Sequence, residues 1–169
     1  FFSTKFDLYI TMPKFDLYIK AELENIESLE IIENSLHFLK LECLNCQMQT
    51  EKFISIDSEE QIQVGRATVN YEAKCKSCGR HSTMSLLSQQ PYESDNGEYT
   101  LIATYESRGW EPIEADITRF TWQAKSKSGT TFTEIEFEQD QNEYEWTDYD
   151  ENANEPVSIM AMKSKIEKQ

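Results

Sequence analysis

Apolar and polar residues alternate along most of this chain with a period of two, the repeat of a strand with one buried face. Phe15 to Leu23 predicts a first strand, and Leu36 to Cys43, apolar on both faces, predicts another. Phe53 to Asp57, Thr68 to Lys74 and Thr83 to Leu87 follow. Tyr99, Leu101, Ala103 and Tyr105 share one face of a strand; Phe120, Trp122 and Ala124 recur at the same spacing. Thr131, Thr133, Ile135 and Phe137 predict one more, and Val157, Ile159 and Ala161 the last. Glu22 to Glu33 has some helical character, but Ile31-Ile32 and its loop signals leave it ambiguous. Lys125 to Gly129 is a polar turn. The pattern predicts a mainly β protein, sandwich-like or barrel-like.

Pro91 to Gly97 is a polar stretch near the middle of the chain, and the two sides of it resemble each other. Leu23-Glu24-Asn25-Ile26 through Leu29-Glu30 is echoed by Tyr105-Glu106-Ser107-Arg108 through Trp110-Glu111. Phe53 through Asp57 is echoed by Phe132 through Glu136, and Ser82-Thr83-Met84 by Val157-Ser158-Ile159. These echoes predict a duplicated β unit: residues 12–90 as one half, 91–98 as connector and 99–169 as the other. Lys5 to Ile10 is also repeated as Lys14 to Ile19, with Met12-Pro13 just before the second copy. Residues 1–11 therefore read as a non-native extension and are set aside.

All four cysteines fall into two pairs, Cys43-Leu44-Asn45-Cys46 and Cys75-Lys76-Ser77-Cys78, with residues 47–74 between. Two Cys-x-x-Cys turns deliver the four soft ligands of a tetrahedral zinc site. The interval is longer than the ~15–20 residues usual for paired knuckles, so strands must fit inside it. Two disulfides compete with this reading, but they suit a secreted chain, and no basic-then-apolar leader is visible at the N-terminus. A redox motif also competes, although it wants one pair at a strand-to-helix junction. Lys74, Lys76 and Arg80 would offset the negative charge of a thiolate site. Gly79 offers a positive φ after the second pair, whereas Gln47 follows the first. His37 and His81 read as structural and solvent-facing, respectively. In the second half, Lys125 to Gly129 stands where the first half has its first cysteine pair.

Charge narrows the function classes. The formal net charge is −15, and four thiolates with one Zn2+ would make it more negative. Such a surface repels nucleic-acid phosphates. Mean hydropathy is −0.64, and no apolar run approaches the ~20 residues of a membrane helix. Neither nucleic acid nor membrane is expected as a partner. Paired thiols without a leader point to a reducing, cytoplasmic compartment. From Glu134 to Glu155 there are ten acidic residues and no basic one, interleaved with Phe137, Tyr144, Trp146 and Tyr149. A solvated loop accounts for most of these carboxylates. Trp146, Asp148, Tyr149 and Asp150, joined by Arg108 and Trp110, are instead the candidate surface for a basic protein partner. The competing role is a plug, with Trp146 filling a gap and an aspartate paired to Arg108.

Leu23-Glu24-Asn25-Ile26, the two cysteine pairs, Arg108-Gly109-Trp110-Glu111-Pro112 and Trp146-Thr147-Asp148-Tyr149-Asp150-Glu151 occur in this order. Together they resemble the eukaryotic CXXC-motif-containing zinc-binding protein family. The resemblance covers about residues 14 to 165, and the string from Trp146 is its specific part. It implies an intracellular, β-rich protein with one zinc on Cys43, Cys46, Cys75 and Cys78, and it supplies no reaction. Gln47 departs from the family, whose members often have glycine there. Two function classes follow. One is a non-catalytic interaction module with a structural zinc, which fits the absence of an acid–base or nucleophile constellation in the sequence. The other is a thiol- or metal-handling protein that traffics zinc or copper or exchanges disulfides.

Overall fold

Fifteen strands and one short 3-10 turn follow one another along the chain, in a computed structural model that describes residues 12–93 and 96–169. The expectation for residues 1–11 lies outside the described residues. The strands are β1 (Lys14–Glu24), β2 (Ile26–Ile31), β3 (His37–Cys43), β4 (Ile54–Ile56), β5 (Ile62–Val64), β6 (Ala67–Val69), β7 (Tyr71–Lys74) and β8 (His81–Gln89). After the connector come β9 (Thr100–Arg108), β10 (Trp110–Ala115), β11 (Trp122–Ser126), β12 (Thr131–Phe132), β13 (Glu138–Asp140), β14 (Glu143–Asp150) and β15 (Glu155–Lys168). No α-helix occurs among the described residues.

The large sheet runs β13-β14-β15-β1-β9-β8-β7, and every neighbouring pair is antiparallel. Two three-stranded sheets, β10-β3-β4 and β2-β11-β12, share one apolar core with it. Leu17, Ile19 and Ala21 of β1 meet Leu39 and Leu41 of β3 and Trp122 and Ala124 of β11 in that core. The mainly β fold predicted from the alternation is the one observed, as antiparallel sheets around a shared core.

Topology repeats itself about the β1–β9 pair. β15 and β14 flank β1 on one side as β8 and β7 flank β9 on the other. β2 pairs with β11 of the second half, and β10 pairs with β3 of the first. The two halves therefore interlace by exchanging one strand each. Both exchanged strands follow a single left-handed residue, Asn25 (φ 56°) or Gly109 (φ 92°). That residue turns the chain out of the large sheet into a small one.

Several local expectations change. Glu22 to Glu33 is no helix; it is the end of β1, the Asn25 bend and β2. β3 alternates: His37, Leu39, Leu41 and Cys43 are buried, while Phe38, Lys40 and Glu42 are half-exposed. The strand expected over 131–137 ends at Phe132, because Glu134 is left-handed (φ 55°). The sequence pattern does not predict β10, because Pro112 and its acidic neighbours hide its alternation. The polar connector contains Tyr92, which is fully buried. Tyr92 exchanges two backbone hydrogen bonds with Leu29, and its hydroxyl takes the Ala21 N–H at 3.0 Å.

His37 is the polar centre of the core. Gln89 Nε2 donates to the carbonyls of Ile31 and Ile32, so its Oε1 faces His37 Nε2 at 3.0 Å. That nitrogen must carry the proton, and Nδ1 then accepts from the Tyr105 hydroxyl at 2.6 Å. Burial lowers the imidazole pKa to about 4, against a weaker upward pull from Gln89. The unfolded chain takes up the proton first, near pH 6.5, so stability falls from there down to about pH 4. The loss is roughly 3 kcal/mol. Imidazole nitrogen NMR should show His37 neutral at pH 5.5 with its proton on Nε2. A charged ring at that pH would contradict this geometry.

Candidate metal centre

Two chain turns converge to bring the four cysteines together. Cys43 ends β3 and Cys46 lies in the turn beyond it, while Cys75 and Cys78 lie in the turn of the β7–β8 hairpin. One turn belongs to a small sheet and the other to the edge of the large sheet. All four sulfurs lie within 4.8 Å of one another. Cys43 and Cys78 Sγ are 3.7 Å apart, and Cys46 and Cys75 Sγ 3.5 Å. A zinc ion with Zn–S bonds of about 2.3 Å spaces its sulfurs about 3.8 Å apart. The donor set and its spacing fit a tetrahedral four-thiolate zinc. None of the four is in a disulfide.

Both turns use the same backbone hydrogen bonds. Gln47 N–H reaches the Cys43 carbonyl (2.8 Å), as Gly79 N–H reaches that of Cys75 (2.9 Å). Cys43 N–H donates to Met48, and Cys75 N–H to Arg80. Each turn needs a left-handed residue after its second cysteine: Gly79 at φ 77° and Gln47 at φ 64°. Glycine adopts this freely, whereas a side chain raises the energy by about 1 kcal/mol. The departure at Gln47 thus falls on conformation and leaves the ligands in place. Leu44 N–H also donates to the Gly109 carbonyl (2.9 Å), tying the first turn to the β9–β10 bend. A Cβ on Gly109 would overlap Ser82 of β8, so this approach requires glycine.

Hydrogen bonds also act on the sulfurs. The Asn45 side chain and the Arg80 N–H hold the Cys78 thiol down to about 6. The N–H groups of Cys78 and Ser77 lower Cys75. At Cys46 the Met48 N–H pulls down, but burial and the other three sulfurs outweigh it and push the thiol up to about 11. A bound divalent metal removes the last protons from such a cluster. Cys43 and Cys75 are buried, Cys46 is half-buried and Cys78 is exposed. His81 lies outside the cluster, on the surface against Glu72.

The six residues of the expected partner surface do not share one face. Arg108 and Trp110 flank the bend beside Cys43, and Trp110 is opposite Cys43 in register. Trp146 to Asp150 lie in β14, three strand spacings from β9, or about 14 Å. They also lie toward the other end of β1, whose eleven residues span about 33 Å. Trp110 and Asp150 are buried, which removes both from any surface. Trp146 is half-buried, with its ring edge-on to Phe132 at 5.4 Å. Asp148 and Tyr149 are exposed, as is Arg108.

Asp150 is a strut, and its side-chain partners are hydroxyls, with no pairing to Arg108. Ser128 (2.5 Å) and Ser126 (2.7 Å) donate to one carboxylate oxygen; Thr130 (2.8 Å) and the Asn152 N–H (3.1 Å) donate to the other. The Ser128 contact is the largest of the effects that bring its pKa to about 2, despite burial. The run Ser126 to Thr130 reads in sequence as a polar turn at the place of the first cysteine pair, and nothing local pairs it with Asp150.

The family described as CXXC motif containing zinc binding protein, eukaryotic, matches residues 16–167. The chain belongs to this family. A human relative with the same description is 34% identical over 88% of this chain and 94% of its own length. The crystal structure of C1orf123 superposes with a TM-score of 0.81 at 30% identity, covering 92% of this chain and 99% of that one. A hypothetical protein from Plasmodium falciparum shares the fold, with a TM-score of 0.79 at 22% identity and coverage of 92% and 100%. Membership in a zinc-binding family and one four-cysteine cluster accord with a single Zn2+ per chain.

Two substitutions probe the site. Gln47→Gly should raise Tm by about 2 °C by relieving the left-handed turn. Cys75→Ser should purify without stoichiometric zinc and lose its cooperative thermal transition. Such sites supply roughly 10–16 kcal/mol in zinc-finger peptides, more than most domains have to spare. Metal analysis and calorimetry read both outcomes.

Proposed function

We propose that this protein is a non-catalytic interaction module whose zinc, on Cys43, Cys46, Cys75 and Cys78, is structural. The observation that carries this reading is the donor geometry. Four sulfurs fill the tetrahedron and leave no open position for a substrate or an activated water. The metal then acts as a cross-link between a small sheet and the edge of the large one.

The partner is a basic protein in the cytoplasm, met by the exposed part of β14. Asp148 and Tyr149 supply charge and contact area there, within the acidic run from Glu134 to Glu155. Trp146 supports that strand from the inner side, against Phe132. Charge disfavours nucleic acid at this surface.

One observation favours a second reading, in which the protein hands on zinc or copper. Cys78 is exposed, and its thiol is held low enough to ionise near neutral pH. Zinc release kinetics separate the two. Transfer to a colorimetric chelator should take hours for a structural site, and transfer within seconds would favour metal handling. For the surface, Asp148→Lys combined with Tyr149→Ala should leave Tm within about 2 °C, because both side chains are exposed. Affinity capture from cytosolic extract should then lose basic proteins that wild type retains at low salt. An unchanged bound set would reject β14 as the partner face.

A further inference from the structure

The two halves place different chemistry at equivalent positions. Cys43 is the last residue of β3 and lies opposite Trp110, the first residue of β10. Ser126 is the last residue of β11 and lies opposite Ile26, the first of β2. Leu44 N–H donates to Gly109, and Lys127 N–H donates to Asn25 (3.0 Å), so both turns are tied to the left-handed bend. Cys43 N–H donates to Met48, and Ser126 N–H to Thr130 (2.8 Å). Gln47 N–H closes on Cys43, and Gly129 N–H on Ser126 (3.0 Å). Gln47 and Gly129 are both left-handed. The correspondence sets Cys43 with Ser126 and Cys46 with Ser128, the second turn being one residue shorter.

The other turn matches as well. Lys74 pairs with His81, and Tyr149 with Pro156. Cys75 then corresponds to Asp150, and Cys78 to Ala153. Left-handed Gly79 corresponds to left-handed Asn154 (φ 53°). Where Cys46 meets Cys75, Ser128 meets Asp150.

We infer that the cluster of Ser126, Ser128, Thr130 and Asp150 is the second copy of the metal clamp, in which a buried carboxylate replaces the ion. The chemistry is inverted at the same place. In the first half, four anionic sulfurs converge on what would be a cation. In the second, donors from one turn converge on an anion carried by the other. Either arrangement locks a small-sheet turn to a hairpin of the large sheet. The inference rests on the four-cysteine zinc reading of the first half.

A turn graft tests it. Residues 126–130 are replaced by the sequence of Cys43 to Met48, and residues 150–154 by that of Cys75 to Gly79. Wild type should hold one zinc per chain and the folded graft two. Cobalt substitution should double the thiolate-to-metal absorption. A folded graft with one zinc overturns the inference, whereas wild type without zinc would instead sink the reading of the first half. Should the graft fail to fold, Asp150→Ala decides. It should keep one zinc and lower Tm by about 5 °C, since it strands the hydroxyls of one turn. An unchanged Tm overturns the clamp.

Discussion

Antiparallel pairing of β1 with β9 is the constraint on which the rest of this structure depends. It sets the equivalent first strands of both halves side by side at the middle of the large sheet. Each strand then leaves the sheet at a single left-handed residue and continues into a small sheet built largely by the other half. Neither half completes its own core. Trp122 and Ala124 of the second half pack in one cluster with Ile26, Leu29 and Ile31 of the first. Cutting the chain at the connector would therefore expose apolar surface on both sides.

Turns at both ends of that central pair must be held against the sheets they leave. Apolar burial cannot do this, since the turns are short and partly exposed. Directional bonds can. At one end two cysteine turns converge on a tetrahedral site with the spacing of a zinc ion. At the other, one carboxylate gathers three hydroxyls and an amide. The core between them holds its own polar contacts. His37 joins β3 to β8 and β9, and Tyr92 pins the connector to β1 and β2. Each is satisfied, so each costs little and fixes which strands face each other.

Acidic residues and aromatics in β14 serve two purposes that the same stretch of sequence conceals. Trp146 packs edge-on against Phe132, while Asp148 and Tyr149 further along the strand are exposed. Asp150, at the end of the strand, turns into the interior. An acidic string thus contains both solvent-facing charge and one of the most tightly held carboxylates in the chain.

The sequence by itself determined the β class, the four cysteines of the metal cluster and the family. Each of these is written in local spacing: period two, Cys-x-x-Cys, and short strings in a fixed order. Burial decides what a strand's inner face must be, so alternation survives to be read. Only the tertiary structure decided which strands pair across halves, that Trp110 and Asp150 are interior, and that Ser126, Ser128 and Thr130 answer Asp150. Those contacts join residues up to several strands apart. A serine or an aspartate is equally at home in water, so nothing in its neighbours announces a buried partner. Bends at Asn25 and Gly109 set the exchange of strands, and a single positive φ leaves almost no trace in composition.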